Sequence, residues 1–196
     1  MLITFEGIDG AGKSTLAKIL ANNLEQKNYN VVLTKEPGGT PLGEYIRKIL
    51  LDQEMDALSE FLLFASDRHT HVKEVIVPAL NKGAIVISDR YHDSSVAYQG
   101  YGRNLSLEFI EFVHNKVLEG IMPELTILVD IPVNIGFGRL KTKDRIEKLG
   151  EDYLEKVRYG YLTLASEEKR FFVVNGTKSI DELSNQILTK VMEMIK

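Results

Sequence analysis

The sequence predicts an α/β fold: a doubly wound parallel sheet of about five strands with helices on both faces. Three observations predict it. Short apolar runs rich in β-branched and aromatic residues recur along the chain, longer stretches with helical apolar spacing separate them, and the runs are continuously apolar rather than alternating. Continuous runs mark strands covered on both faces. The strands are LITFE from Leu2, VVLTK from Val31, AIVIS from Ala84, LTILVD from Leu125 and RFFVV from Arg170. The helical stretches include STLAKILANNLEQK from Ser14, SEFLLFASDRHTHVKEVIVPAL from Ser59, SLEFIEFVHNKVLEG from Ser106 and SIDELSNQILTKVMEMIK from Ser179. Ser106 and Ser179 read as N-caps, and Glu182, three residues after Ser179, completes a capping box. In such a sheet, ligands bind beyond the carboxyl ends of the strands.

A chain of 196 residues suits one domain, residues 1–196, and no repeat, low-complexity tract or Pro/Gly/Ser linker divides it. Hydrophobic residues at 44% and charged residues at 27% are globular proportions, so disorder and a membrane span are not expected. MLITF has neither a basic lead nor a small-residue cleavage site behind it, and the chain has no cysteine. A cytoplasmic protein without signal peptide or disulfides is expected. The net charge of -4 argues against a broad nucleic-acid surface.

Gly7, Gly12, Lys13 and Ser14 satisfy the P-loop pattern GxxxxGK[ST] where the first strand meets the first helix. Glycines turn backbone N–H groups inward around phosphate oxygens, Lys13 can reach the β- and γ-phosphates, and the Ser14 hydroxyl can ligate Mg²⁺. The loop Gly7, Ile8, Asp9, Gly10, Ala11, Gly12, Lys13, Ser14 and Thr15 is expected to bind ATP; the bland alternative is a Gly-rich turn. The P-loop alone does not separate a switch, a motor and a kinase. NGTK at Asn175 is not the base-reading NKxD of a GTPase, DRYH at Asp89 is not its DxxG, and the chain is short for a motor. A small phosphotransferase fits best.

Asp89 ends a buried strand, where an acid helps hold Mg²⁺ through water, and Arg90 after it can fork onto a phosphate. The plainer reading is an Asp–Arg pair that fastens a loop. Tyr98, Gln99, Gly100, Gly102 and Arg103 form a polar, aromatic, glycine-broken segment of the kind that contacts a ligand. Phe64 and Arg68, four apart, share a helical face; they could stack a base and hydrogen-bond its carbonyl edge, unless Phe64 is core and Arg68 a surface stem.

Taken together, GIDGAGKST, KEPGGT, LLFASDR, SDRYHDSSVAYQG and DRIE resemble the thymidylate kinases, which phosphorylate dTMP with ATP, and the likeness runs from Ile3 to about Arg158. The resemblance implies a three-layer P-loop NTPase fold with a short lid at about residues 139–150, an Mg²⁺ requirement, a homodimer, and conversion of dTMP to dTDP for dTTP synthesis. It implies that Asp9 sits near the acceptor's sugar hydroxyl and the metal, that Phe64 stacks on thymine, and that Arg68 bonds a carbonyl of the base. Arg47 and Arg90 would grip the dTMP phosphate, and Glu36 and Pro37 would lie beneath it. Ser95 and Gln99 would read the pyrimidine edge, and Tyr98 would press on the deoxyribose where a 2′-hydroxyl would otherwise project.

A phosphate acceptor, with a second pKa of about 6, is already largely dianionic at pH 7, so no general base is needed. Catalysis must instead bring two polyanions into line, which is work for cations. Lys13, Arg47, Arg68, Arg90 and Arg103 are candidates, and GRLKTKDRIEKLG adds Arg139, Lys141, Lys143 and Arg145, unless that run is only a solvated helix face. The thymidylate kinases place a catalytic arginine in either the P-loop or the lid. Gly10 occupies the P-loop position here, so the lid must supply the cation. Arg145, in DRIE, matches best and joins Asp9, Lys13 and Arg90 as catalytic, with Arg139 along the adenine. Arg145→Ala is then expected to lower kcat about 10³-fold.

His69 and His71 are two apart, poor metal geometry, and read as surface imidazoles; Asn175 and Gly176 are placed at the adenine pocket. Two other functions stay open: a kinase of another nucleotide or of a deoxynucleoside, whose hydroxyl would need Glu36 or Asp9 as base, and a nucleotide-dependent switch. The apolar faces of Glu60 to Leu80 and Ser106 to Leu118 suit an isologous dimer.

Overall fold

The computed structural model describes residues 1–139, 145 and 149–195; Lys141 and Lys143 lie outside the described residues. Five strands, β1 (Leu2–Glu6), β2 (Val31–Lys35), β3 (Ile85–Asp89), β4 (Leu125–Asp130) and β5 (Phe171–Asn175), form one parallel sheet in the order β2-β3-β1-β4-β5. The predicted strands are all present, within a residue or so at their ends. β1, β3 and β4 are buried nearly throughout, as continuous apolar runs require. β2 and β5 lie at the sheet's edges, and Leu33 and Val173 stand 41% and 44% exposed, so for these two the expected double cover is incomplete.

The helices are α1 (Lys13–Glu25), α2 (Pro41–Asp52), α3 (Ala57–His71), α4 (Val77–Asn81), α5 (His92–Ser95), α6 (Leu107–Val117), α7 (Val133–Arg139), α8 (Glu151–Glu167) and α9 (Ile180–Ile195). Leu16, Leu20 and Leu24 of α1, Leu154 and Val157 of α8, and Ile187 and Val191 of α9 join Ile3, Phe5 and Ile87 in one core. Leu2 and Val86, on the opposite face of the sheet, pack with Val72, Ile76 and Leu118 in a second. Two cores on two faces make the three layers of a P-loop NTPase fold.

The long helix expected from Ser59 to Leu80 is instead α3 and α4 joined by a π-helical turn, Val72–Ile76. Pro78 has no N–H to donate one turn back, and the wider winding accommodates the loss. A second π-helical segment, Val96–Gly102, carries Tyr98 and Gln99. Ser106 accepts from the Phe109 amide at 3.3 Å. The capping box forms as read: the Glu182 amide donates to Ser179 Oγ at 3.3 Å and the Ser179 amide to Glu182 Oε2 at 3.2 Å.

Candidate active site

Parallel pairing places Phe5 of β1 beside Asp89 of β3, so the loop that leaves β1 and the acid that ends β3 open at the same edge. Gly7 has φ 137°, and a Cβ there would stand 2.5 Å from the Val129 carbonyl oxygen, so only glycine lets the loop lie this close to β4. α1 then starts at Lys13, its free amides directed at the loop. Lys13 Nζ donates to the Ile8 carbonyl at 2.9 Å and lies 3.8 Å from Asp9. Burial lowers its pKa, with the Arg90 charge adding to the effect.

Ser14 Oγ donates to Asp89 Oδ2, and Asp89 Oδ1 is buried with no partner among the described residues. A hydroxyl beside a carboxylate oxygen with spare capacity is the donor type Mg²⁺ prefers, so these residues fit that ion. Among the described residues, no three His, Cys, Asp or Glu side chains cluster to hold a metal alone.

Beside the loop opens a cleft lined by Asp9, Glu36, Pro37, Arg47, Leu50, Leu51, Phe64, Arg90, Ser94, Ser95, Tyr98 and Gln99. Every acceptor-site residue selected from sequence therefore lines it except Arg68. Arg68 is 1% exposed and forms a layer behind. Its Nε donates to Glu36 Oε2 at 2.8 Å, Nη1 to Ser95 Oγ at 3.0 Å and to His114 Nε2 at 3.2 Å, and Nη2 to the Tyr91 carbonyl at 3.0 Å. Four of its five N–H groups are thus used, two of them on residues that face the cleft. Because a guanidinium only donates, His114 Nε2 must accept, and burial together with Arg68 pulls the His114 pKa down to about 2.

His71 is not the surface imidazole expected from its spacing. It is 0% exposed, donates from Nδ1 to Glu36 Oε1 at 2.8 Å, and meets Thr34 Oγ1 through Nε2 at 2.6 Å. With Arg68 on one oxygen and His71 on the other, Glu36 is fixed on both sides. His69 is half-buried and bonds the Val117 carbonyl through Nδ1 at 3.1 Å.

Arg90 sits in the left-handed region, φ 74°, a conformation rare for a residue with a side chain and characteristic of functional turns. Nη2 donates to Asp9 Oδ1 at 2.5 Å and to Tyr98 OH at 3.0 Å, and Nη1 to the Gly7 carbonyl at 3.2 Å. The Tyr98 hydroxyl donates in turn to Asp9 Oδ2 at 2.9 Å. Burial would raise the Asp9 pKa, but the charges of Arg90 and Lys13 and the Tyr98 hydrogen bond outweigh it and hold the carboxyl at about 2. Arg47 Nη1 donates to the Pro37 carbonyl at 3.0 Å, which keeps the arginine over the Glu36–Pro37 turn.

Arg139 lies against the P-loop, donating to the Gly10 carbonyl at 3.1 Å. Arg145 does not. Its Nε donates to the Leu50 carbonyl at 3.0 Å and its Nη2 to Glu60 Oε2 at 2.6 Å, and the residue is 6% exposed. A part in phosphoryl transfer would require both bonds to break. Asn175 and Thr177 line a separate groove at the end of β5, with Gly176 packed on Ile131 and Val129.

Several residues of the site were not selected from sequence. Glu6, wholly buried, accepts from the Tyr91 amide at 2.8 Å, from Ser94 Oγ at 2.6 Å and from Tyr161 OH at 2.8 Å. Ser94 and Tyr161 in turn accept from Arg90 Nη1. An acid ending an apolar strand beside the P-loop was the available signal for Glu6. Glu60, four residues before Phe64 on the same helical face, had a comparable signal; Tyr161 had none.

A P-loop, a metal-competent Ser–Asp pair and a cation-lined second cleft joined to it through Asp9 define a small P-loop phosphotransferase with two substrate sites. A sequence profile described as thymidylate kinase matches residues 5–187. Thymidylate kinase of Thermosipho melanesiensis (strain DSM 12029 / CIP 104789 / BI429) is 48% identical over 189 residues, 95% of each chain. That of Fervidobacterium nodosum (strain ATCC 35602 / DSM 5306 / Rt17-B1) is 45% identical over 190 residues, 96% of each. The crystal structure of thymidylate kinase from Ehrlichia chaffeensis superposes with a TM-score of 0.82 at 34% identity, covering 98% of both chains. The chain belongs to the thymidylate kinase family.

Proposed function

We propose that this protein transfers the γ-phosphoryl group of ATP to dTMP, giving dTDP and ADP, with Mg²⁺, as a cytoplasmic homodimer serving dTTP synthesis. The observation that carries the reading is the position of Asp9: it belongs to the P-loop, lines the second cleft, and is bonded to both Arg90 and Tyr98. The donor loop and the acceptor cleft therefore share one side chain.

Lys13 and the loop amides bind the donor phosphates, with Arg139 beside them. Arg47 and Arg90 take the acceptor phosphate, Phe64 stacks on the base, Ser95 and Gln99 meet its edge, and Tyr98 closes against the sugar. Ser14 and Asp89 would hold Mg²⁺, which neutralises charge on the donor phosphates when bound. A deoxynucleoside acceptor, by contrast, would need a base. Asp9, held at about 2, is a poor one, and both Glu36 oxygens are already engaged. The cysteine-free composition suits the cytoplasm, and no helix among the described residues is long and apolar enough to cross a membrane. The homodimer rests on α3 and α6, which pack together and leave Leu58, Leu62, Leu107 and Phe112 exposed.

The test is ADP release with ATP and Mg²⁺ across dTMP, dUMP, UMP, AMP, GMP and thymidine. dTMP should give the highest kcat/KM. A protein that binds ATP yet shows no turnover stimulated by dTMP would defeat the reading.

A further inference from the structure

Glu60 of α3 is 0% exposed, yet it carries a carboxylate on which three side chains converge. Arg145 Nη2 donates to Oε2 at 2.6 Å, Arg103 Nη2 lies 3.9 Å from the same oxygen, and Gln99 Nε2 donates to Oε1 at 2.9 Å. Gln99, 2% exposed, is the one of these that lines the acceptor cleft. A primary amide can turn over and exchange its donor and acceptor ends at little cost, unless a neighbour forbids it. Glu60 forbids it here, because a carboxylate only accepts. Nε2 must face Glu60, which leaves Gln99 Oε1, unbonded among the described residues, as the end available to the cleft.

We propose that Glu60 is a specificity-determining positioning residue: it fixes the Gln99 amide with its oxygen toward the acceptor, so the site takes a pyrimidine carrying a ring N–H at its pairing edge. Thymine and uracil have that N–H. Cytosine has an unprotonated ring nitrogen there, and two acceptors would then face each other in a buried cleft. Glu60 touches no substrate and acts through Gln99. The inference rests on the assignment of this cleft to the acceptor base.

The charges around Glu60 make its replacement informative. In Glu60→Gln, Arg145 retains the amide oxygen, so the amide NH₂ turns to Gln99. Gln99 must then present its own oxygen to residue 60 and its NH₂ to the cleft. The exchange Glu60→Gln with Gln99→Glu restores the original pattern, because the carboxylate at 99 accepts from residue 60 and keeps an acceptor oxygen for the base. The experiment measures kcat and KM for dTMP and dCMP, at saturating ATP, in the wild type, E60Q, the E60Q/Q99E exchange and Gln99→Ala.

The preference for dTMP over dCMP in kcat/KM should fall about tenfold or more in E60Q, through a raised KM for dTMP. In the exchanged variant it should return to within about threefold of the wild type. A purely structural role for Glu60 would not be rescued by the exchange. If Q99A raises the dTMP KM while E60Q leaves the preference unchanged, the role of Glu60 is overturned and the cleft assignment stands; if Q99A changes no constant, the cleft assignment fails and takes the inference with it. Should E60Q not fold, the exchanged variant decides alone: retained dTMP preference supports the role, and its loss overturns it.

Discussion

Gly10 and Gly136 face each other across the P-loop so closely that a Cβ on Gly10 would stand 2.3 Å from the Gly136 carbonyl oxygen, while a Cβ on Gly136 would stand 2.7 Å from the Asp9 carbonyl oxygen. Gly10 also has φ 80°, where a side chain is strained. This backbone therefore has no room for a P-loop arginine at position 10. Gly10→Ala should cost about 1–3 kcal/mol of stability and raise the KM for ATP more than that for dTMP. Denaturant unfolding and steady-state kinetics check both, and an unaltered ATP KM would show that the loop tolerates the displacement.

The strand runs, the loop and the acid at Asp89 were legible because each is local: a continuous apolar run, a fixed spacing, a residue at a strand end. Eight residues selected for the acceptor through motif likeness line one cleft. Residues held by distant partners were not. Tyr161 meets Glu6 across 155 positions and Arg145 meets Glu60 across 85, and no periodicity encodes either contact. His71 illustrates the same limit, since its i+2 relation to His69 spoke against metal binding but carried no information about Glu36 and Thr34. The sequence pointed to Arg68 as a base-contacting arginine, but not to its place behind Glu36 and Ser95, because the depth of a helix face is decided by what packs over it. The exposed sides of β2 and β5 follow from strand order, which apolar content does not fix.

Asp67 gives a pH dependence of stability. Its Oδ1 accepts from the Gly38 amide at 3.1 Å while Oδ2 is buried without a partner among the described residues. Burial, with the Glu36 charge next, pushes its pKa up from 3.8 to about 7. The folded state therefore holds the proton more tightly than the unfolded one, so the stabilisation is complete below about pH 4, is lost as the pH rises toward 7, and is flat above. Asp67→Asn does not titrate. Its Tm relative to the wild type should rise between about pH 4 and pH 7 and level off above, as followed by thermal unfolding in matched buffers. A difference independent of pH would show that Asp67 is not the titrating group.

The proposed dimer face makes a separate prediction. Phe112, on α6, is 62% exposed and, like Leu107, belongs to the proposed interface. Phe112→Asp should shift the sedimentation coefficient from dimer to monomer while leaving the far-UV spectrum unchanged. A wild-type protein that sediments as a monomer of 22.1 kDa at micromolar concentration would remove the dimer from the proposal.

Arg145 is where the motif reading and the observed geometry lead to different numbers. As a transition-state cation it would account for about 10³-fold in kcat, with little effect on the KM for dTMP. As observed, it pairs with Glu60 at 2.6 Å and donates to the Leu50 carbonyl near the end of α2. Removing it would leave Glu60 buried with, among the described residues, only Arg103, 3.9 Å away, as a charge partner. The expected outcome of Arg145→Ala is therefore a KM for dTMP raised about tenfold or more and a lowered unfolding midpoint, with kcat reduced less than about tenfold. Single-turnover kinetics with dTMP at saturation isolate the transfer step. A 10³-fold loss there, with KM unchanged, would mean that Arg145 leaves Glu60 during the reaction and meets the transferring phosphate.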